Sequence, residues 1–331
     1  MGEDSRELDE KTVGAVGGAC LIAILLLPHV QPGMFGWLIG LVPLPIFIGL
    51  TFSGFRQGAA HLGICLLIAT GVAAWFGVVR PLVFSLTLVP LGFILAGALR
   101  QRQAPLRTGL TGVVILAGTW LLFATALGVI DRFNPYATLL GSLDEGLTAA
   151  YALYREAAGV PDAELLKLQT TFDYLRQGLP KILPAMLTTG VLFTVWANMA
   201  LGNWLLRRIR PQGAAWPEFS LWQLPDRLVW GFIAAAAGTL ILPGGLRIFC
   251  LNLLLIWAAL FFLQGLAVLV RLLLRLRTPR PLRIVIYLFL GVQAYGIILL
   301  SLLGLADIWA DFRKLGPGRG SNKTSLPPSR D

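Results

Sequence analysis

The chain has 331 residues, of which 56% are hydrophobic and 13% charged, and its mean hydropathy is +0.75. Soluble domains carry roughly 25% charged residues, so this composition excludes an ordinary soluble domain and predicts an all-helical, polytopic membrane bundle. The net charge of +10 comes from basic residues in short loops between apolar runs. That placement favours contact with the lipid bilayer over nucleic-acid binding.

Nine apolar runs predict about eight or nine transmembrane helices, because each approaches the length that a membrane-crossing helix needs. They cover residues 12–28, 33–54, 58–79, 82–99, 108–130, 184–206, 228–242, 246–270 and 284–304. The chain starts with acidic residues rather than the basic ones of a secretory signal, so we expect the first span to stay attached. Pro43 and Pro45 lie within the second run and predict a kinked or broken helix, since proline has no N–H to donate.

Residues 131–179 interrupt the apolar pattern with mixed charge. They predict two amphipathic helices: one capped by Ser142 or Asp144 and running to about residue 158, and one starting at Pro161. We expect both to lie on the membrane surface, and the alternative is a small soluble cap that packs on itself. The Gly-, Ser- and Pro-rich tail predicts disorder over residues 315–331, after a single transmembrane domain over residues 1–314.

The basic loops predict an orientation. The loops after the fourth, sixth and eighth spans carry three, four and five basic residues. Short basic loops stay in the cytoplasm, which predicts a multi-pass protein of the bacterial cytoplasmic membrane with a cytoplasmic N-terminus. Trp216 and Trp222, in the loop after the sixth span, suit a membrane interface.

The sixth span carries a polar seam. Gly190, Thr194, Asn198 and Gly202 recur at every fourth residue and therefore share one helix face. Lipid chains gain nothing from contact with such a small, polar face, whereas a neighbouring helix, a backbone or a ligand can pack against it.

Further neutral polar side chains fall inside the apolar runs, and hydrocarbon satisfies none of them. The candidate ligand-binding residues are Thr194, Asn198, Asn203, Asn252, Gln264, Gln293, Tyr295 and His61. For the amides, interhelical hydrogen bonding and a ligand pocket both remain open. His61 is either a functional group or a hydrogen-bonded structural histidine near the interface.

No catalytic motif is present: there is no P-loop, dinucleotide fingerprint, zinc-protease motif or nucleophile elbow, and only two histidines. We expect no enzyme activity, no cofactor and no metal site. Cys20, Cys65 and Cys250 have no metal-ligand spacing and are expected to be small buried hydrophobes.

Four residues receive structural roles, namely Pro43, Pro45, Pro184 and Asp307. Asp307 and Asp311 are spaced for one helix face, and they indicate a solvated helix end, with a gate or a partner contact as the alternative.

Several short strings occur together in one order: Pro43-Leu44-Pro45, the 184–206 span with Asn198 and Asn203, and residues 221–225, 262–267 and 307–314. In this the chain resembles the YybS-like family of bacterial polytopic membrane proteins (domain of unknown function 2232), which has no settled activity. That family is similar at fold level to the substrate-capturing subunits of energy-coupling-factor vitamin transporters. Those subunits bind a small molecule and dock on an ATP-driven module.

The resemblance implies a small-molecule-binding or transport-related membrane component, with an ATP-driven coupling module as a partner. The alternative is a non-catalytic scaffold that recruits partners within the membrane, which the density of closely spaced small residues favours.

Overall fold

The computed structural model describes residues 2–156, 161–209 and 216–310, with side chains from residue 14 onward except at residues 162, 292 and 294. The expected disordered tail and Asp311 lie outside this part. Within it the regular elements are α-helices and short 3-10 helices, which confirms the all-helical prediction.

The helices follow the apolar runs closely. In order they are α1 (Gly2–Val30), α2 (Pro32–Phe35), a 3-10 segment (Gly36–Leu41), α3 (Pro43–Trp75), α4 (Val79–Leu86), α5 (Val89–Arg100), α6 (Pro105–Ile130), α7 (Pro135–Glu156), α8 (Asp162–Ile209), a 3-10 turn (Phe219–Leu221), α9 (Leu228–Ile241), α10 (Gly244–Arg275), α11 (Arg280–Val292) and α12 (Ala294–Ala310).

Among the described residues, five helical segments are long and apolar enough to cross a membrane: Pro32–Trp75, Val79–Arg100, Pro105–Ile130, Ala163–Ile209 and Gly244–Arg275. The helices on either side of the break before Tyr295, bent by 101°, make a sixth if they form one span. Two shorter apolar helices, Gly14–Val30 and Leu228–Ile241, coincide with the first and seventh predicted spans. By length and composition the structure thus supports five or six spans, and the number eight to nine stays a prediction.

The second and third predicted spans meet at Gly54, which divides α3. Its φ of 73° and ψ of 166° are not helical. A Cβ on Gly58 would lie 3.0 Å from the Cα of Leu50, although eight residues along a straight helix are separated by ~12 Å. The chain therefore bends back at Gly54, one residue before the turn expected at Phe55.

The prolines of the second span act as the sequence predicts. Residues 36–41 form a 3-10 helix, and α3 starts afresh with Pro43 at its first position. A proline is tolerated there because the first-turn N–H groups of a helix have no partner within it. The predicted break of this span is confirmed.

The chain forms two compact units. The first comprises Met1–Glu218 and Ala235–Ile256, and the second comprises Phe219–Ala234 and Trp257–Asp331. The first unit packs α1, α3, α5, α6 and α8 around buried residues such as Phe47, Leu91, Leu95 and Leu116. Glycines bring these helices close, since a Cβ on Gly112 would lie 2.9 Å from Val195.

In the second unit α10 crosses α12 through glycines. A Cβ on Gly265 would collide with the carbonyl group of Leu300, and a Cβ on Gly304 with that of Phe261. The two backbones therefore touch at this crossing, a contact that only glycine permits.

The polar insertion is a helical hairpin. Arg176 pairs with Asp144 at 2.9 Å, and the Tyr151 and Phe172 rings pack edge to face at 5.6 Å. These contacts join α7 to the first part of α8, as the self-packing alternative predicts. The predicted cap at Ser142 or Asp144 is wrong, because Asn134 accepts hydrogen bonds from the N–H groups of Tyr136 and Ala137.

The sequence suggested that the second helix of this insertion ends before the sixth span. In the structure it does not end there. It continues as α8 for 48 residues, a length of ~72 Å, through Pro180 and Pro184. This far exceeds the ~30 Å of a hydrocarbon core, so part of α8 projects beyond the span it forms.

Three helices end on an arginine in the left-handed region. Arg102, Arg132 and Arg277 have φ values of 53°, 52° and 50°. The next N–H bonds the carbonyl five residues back in each case: Gln103 to Ala98, Phe133 to Gly128 and Thr278 to Leu273. Glycine is usual at this position, and a larger residue there costs roughly 1–2 kcal/mol.

We expect Gly54→Ala to lower the stability by about 1–3 kcal/mol, because the backbone at Gly54 occupies a region that is essentially restricted to glycine. Thermal unfolding in mild detergent measures this loss. Gly63→Ala is the matched control on the same element, since Gly63 is helical and a Cβ there meets nothing within 4 Å. Equal melting temperatures for the two variants would contradict the assigned bend.

Candidate functional site

The polar seam of α8 packs against the broken second span at Thr194, Asn198 and Gly202, whereas Gly190 is exposed. Asn198 is fully buried, and its Nδ2 donates to the carbonyl oxygen of Gly40 at 2.7 Å and to that of Thr194 at 2.7 Å. Gly202 faces Phe47, because a Cβ there would lie 2.5 Å from that ring. Of the partners that the sequence left open for this face, a neighbouring helix, a backbone or a ligand, the structure places the 3-10 segment and the start of α3 against it.

The proline break explains why Gly40 needs Asn198. In a 3-10 helix the carbonyl of residue i bonds the N–H of residue i+3, and for Gly40 that residue is Pro43, which has no N–H. Asn198 supplies the missing donor. Its Oδ1 is buried and has no partner among the described residues.

Asn252 bonds the backbone of another turn that contains a proline. Its Oδ1 accepts from the N–H of Ala185 at 2.8 Å, while its Nδ2 donates to the carbonyl of Lys181 at 2.7 Å. The two bonds clamp the turn of α8 that contains Pro184. The hydroxyl of Tyr136 reaches the carbonyl of Pro180 at 3.4 Å, the carbonyl that Pro184 leaves without a helical donor.

Asn203 holds a loop rather than a ligand. Its Oδ1 accepts from the N–H of Trp216 at 2.9 Å, and its Nδ2 donates to the carbonyl of Pro217 at 3.0 Å. The Trp216 indole donates to the carbonyl of Gln103 and stacks on Phe47. Trp216 is only 3% exposed, so its assignment to the membrane interface is wrong.

In the second unit Gln264 links a loop to α12. Its Oε1 accepts from the N–H of Leu224 at 3.2 Å, and its Nε2 donates to Oδ2 of Asp307 at 3.2 Å. Asp307 is 1% exposed, so the expectation of a solvated helix end is wrong at this residue. The pairing is not predictable from sequence spacing, because the partners lie on different helices.

The remaining candidates lie apart from these amides. Gln293 and Tyr295 flank the break between α11 and α12 and are exposed. His61 forms no hydrogen bond within the described part of the chain, whereas Nε2 of the other histidine, His29, lies 2.8 Å from the Ser85 hydroxyl. Nor are all the cysteines buried, since Cys20 is exposed.

His61 lines a cleft between α1 and the part of α3 that follows Gly54. The cleft measures about 850 Å³, within the roughly 300–1,000 Å³ typical of ligand sites. One wall consists of small residues of α1, and the other carries a polar row. The lining residues are Gly14, Ala15, Gly18, Ala19, Ile22, Ser53, Gln57, Ala60, His61, Ile64 and Cys65.

The polar row consists of Gln57, His61 and Cys65, with Ser53 at the corner of the bend. Three of these residues recur at every fourth position of one helix and so share a face. Within the described residues, none of the four forms a hydrogen bond. The row is visible in the sequence as a spacing of four, but its first member, Gln57, lies in the gap between the predicted spans 33–54 and 58–79. No group of three or more metal-ligating side chains occurs in the described chain.

Comparison with known proteins identifies a family whose description names no activity. The family model described as "Predicted membrane protein (DUF2232)" matches residues 20–308. No curated protein and no solved structure matches the chain. The likeness to energy-coupling-factor subunits therefore stays a hypothesis.

We expect Gln264→Leu and Asp307→Leu each to cost about 1–3 kcal/mol of stability, because each leaves a buried polar partner without its hydrogen bond. The double variant should lose less than the sum, since neither partner is then left alone. Thermal unfolding of all four proteins in one detergent measures the coupling. Additive losses would show that the contact contributes nothing.

Proposed function

We propose that this chain, which belongs to the DUF2232 family of membrane proteins, binds a small amphipathic molecule in the cleft between α1 and α3. The observation that carries the proposal is the row of Ser53, Gln57, His61 and Cys65. These side chains converge on one space, and none has a hydrogen-bond partner in the described chain. A mostly apolar cleft with a few convergent polar groups is the usual form of a small-molecule site.

The two walls suggest the chemistry of the ligand. Gly14, Ala15 and Gly18 leave the α1 wall flat and apolar, which suits a ring or an acyl chain. Gln57 and His61 offer an amide and an imidazole, which can donate to and accept from a polar head group. No carboxylate is among the lining side chains that the structure describes.

The buried amides then take a structural role in this proposal. Asn198, Asn203, Asn252 and Gln264 each bond a backbone group. Removing them from those groups would expose polar backbone in a hydrocarbon environment, which is costly. In this proposal His61 and its neighbours contact the ligand instead.

We further propose a transport-related component of the bacterial cytoplasmic membrane, with a cytoplasmic N-terminus. This part rests on the positive-inside pattern and on the fold-level likeness to substrate-capturing subunits. Such a component needs no catalytic centre of its own, and an ATP-driven module would be its partner.

The second candidate is a non-catalytic scaffold that recruits partners in the membrane. It is favoured by the hairpin of α7 and α8, which exposes Leu153, Leu166 and Tyr174. A stable co-purified protein that is lost when this hairpin is shortened, with an empty α1–α3 cleft, would support it over the first proposal.

A cysteine-labelling experiment tests the cleft. Cys65 lines it and Cys20 does not, so an occupied cleft should slow the reaction of Cys65 with a small membrane-permeable maleimide and leave Cys20 unaffected. A Cys250→Ser background removes the third thiol. Mass spectrometry of gently purified protein identifies the molecule retained.

We expect Gln57→Leu/His61→Leu to reduce the retained molecule and to restore fast labelling of Cys65. Thr70→Leu is the matched control, since Thr70 is exposed on the same helix and does not line the cleft. Retention equal in the double variant and the wild type, or a purified protein with no bound small molecule, would refute the proposed site.

A further inference from the structure

Five arginines gather at the turn between α10 and α11 in the second unit. Arg271 and Arg275 lie one turn apart on the last part of α10 and share a face. Arg277 closes α10, and Arg280 and Arg283 lie in the first turn of α11. Arg275, Arg277 and Arg280 are exposed, whereas the other two are half-buried.

Among the described residues, no acidic side chain pairs with these arginines. The sequence contains no Asp or Glu between Asp226 and Asp307. None of the ion pairs within the described residues involves the five arginines. A set of unpaired guanidinium groups at one end of a membrane helix attracts an anion, and arginine is well suited to the oxygen fork of a phosphate.

A side-chain hydrogen bond of Arg283 fixes the geometry of this turn. Arg283 Nε donates to the carbonyl of Thr278 at 2.7 Å, which ties the start of α11 to the end of α10. Arg277 adopts a left-handed φ of 50° where glycine is usual. An arginine kept at an unfavourable backbone position is consistent with a task for its side chain.

The surroundings suit a lipid rather than a free ion. Leu274, Leu276 and Leu282 are exposed beside the arginines, and Val285 and Phe289 continue the apolar surface along α11. A phospholipid places its phosphate at the level of such arginines and its acyl chains along such a surface.

We propose that the α10–α11 turn is a binding site for the phosphate head group of an anionic phospholipid. Arg275, Arg277 and Arg280 supply the exposed charges, and the apolar side chains of the same turn receive the acyl chains. The site is independent of the α1–α3 cleft, and it can fail or stand without affecting the function proposed for that cleft.

The test measures lipid binding to the purified full chain. Native mass spectrometry counts phosphatidylglycerol and phosphatidylcholine bound at matched concentrations. Each basic side chain near an anionic surface contributes about fivefold to affinity. We therefore expect Arg275→Gln/Arg280→Gln to weaken phosphatidylglycerol binding about 25-fold and to leave the weak phosphatidylcholine binding unchanged.

Arg227→Gln/Arg247→Gln is the matched control, since it removes the same charge from exposed arginines outside the turn. Arg275→Lys/Arg280→Lys keeps the charge and should retain most of the affinity. Arg277→Asn should lose about fivefold without a lower melting temperature in lipid-free detergent, because asparagine tolerates the left-handed conformation.

Three results would overturn the proposal. The first is equal phosphatidylglycerol binding by the Arg275/Arg280 double variant and the control. The second is equal binding of phosphatidylcholine and phosphatidylglycerol by the wild type. The third is competition by soluble glycerol phosphate as strong as that by the lipid, which would assign the site to a free phosphate. If the Gln double variant does not fold, its two single variants carry the same comparison at about fivefold each.

Discussion

Backbone groups inside a membrane have no water to bond, and this protein places prolines where they leave such groups without a helical partner. Asn198 supplies the donor that Pro43 denies to Gly40, and Asn252 bonds both the carbonyl of Lys181 and the N–H of Ala185 beside Pro184. An amide of α8 thus supports the break before α3, and an amide of α10 supports the proline-containing turn of α8. The irregular second span and the long α8 both depend on these hydrogen bonds between side-chain amides and backbone groups.

Two kinds of polar group lie in the apolar part of the chain. The amides are buried and bonded to the backbone, so they specify how the helices pack. Ser53, Gln57, His61 and Cys65 line an open cleft and form no hydrogen bond with the described residues. A group whose hydrogen-bonding capacity is already used by the fold is poorly placed to bind anything else, whereas the polar row of the cleft retains that capacity.

Much of the fold followed from the sequence, because apolar runs and prolines act locally. The helices, the break before Pro43 and the packing of the Asn198 face were all predictable from spacing. The partners were not, because they depend on residues far apart in the chain: Asn203 with Trp216 across a loop, and Gln264 with Asp307 across two helices. The cleft was missed because its shape arises from the bend at Gly54 and from where α1 lies.

The docking of Trp216 has a mechanical consequence. Its backbone is held by Asn203 of α8, and its indole is bonded to Gln103 in the connection between α5 and α6. The α5–α6 connection and the loop after α8 are thereby bonded to one another and to the C-terminal part of α8. A protein that pulled on either connection would transmit that displacement along α8 toward the hairpin at the other end of this helix.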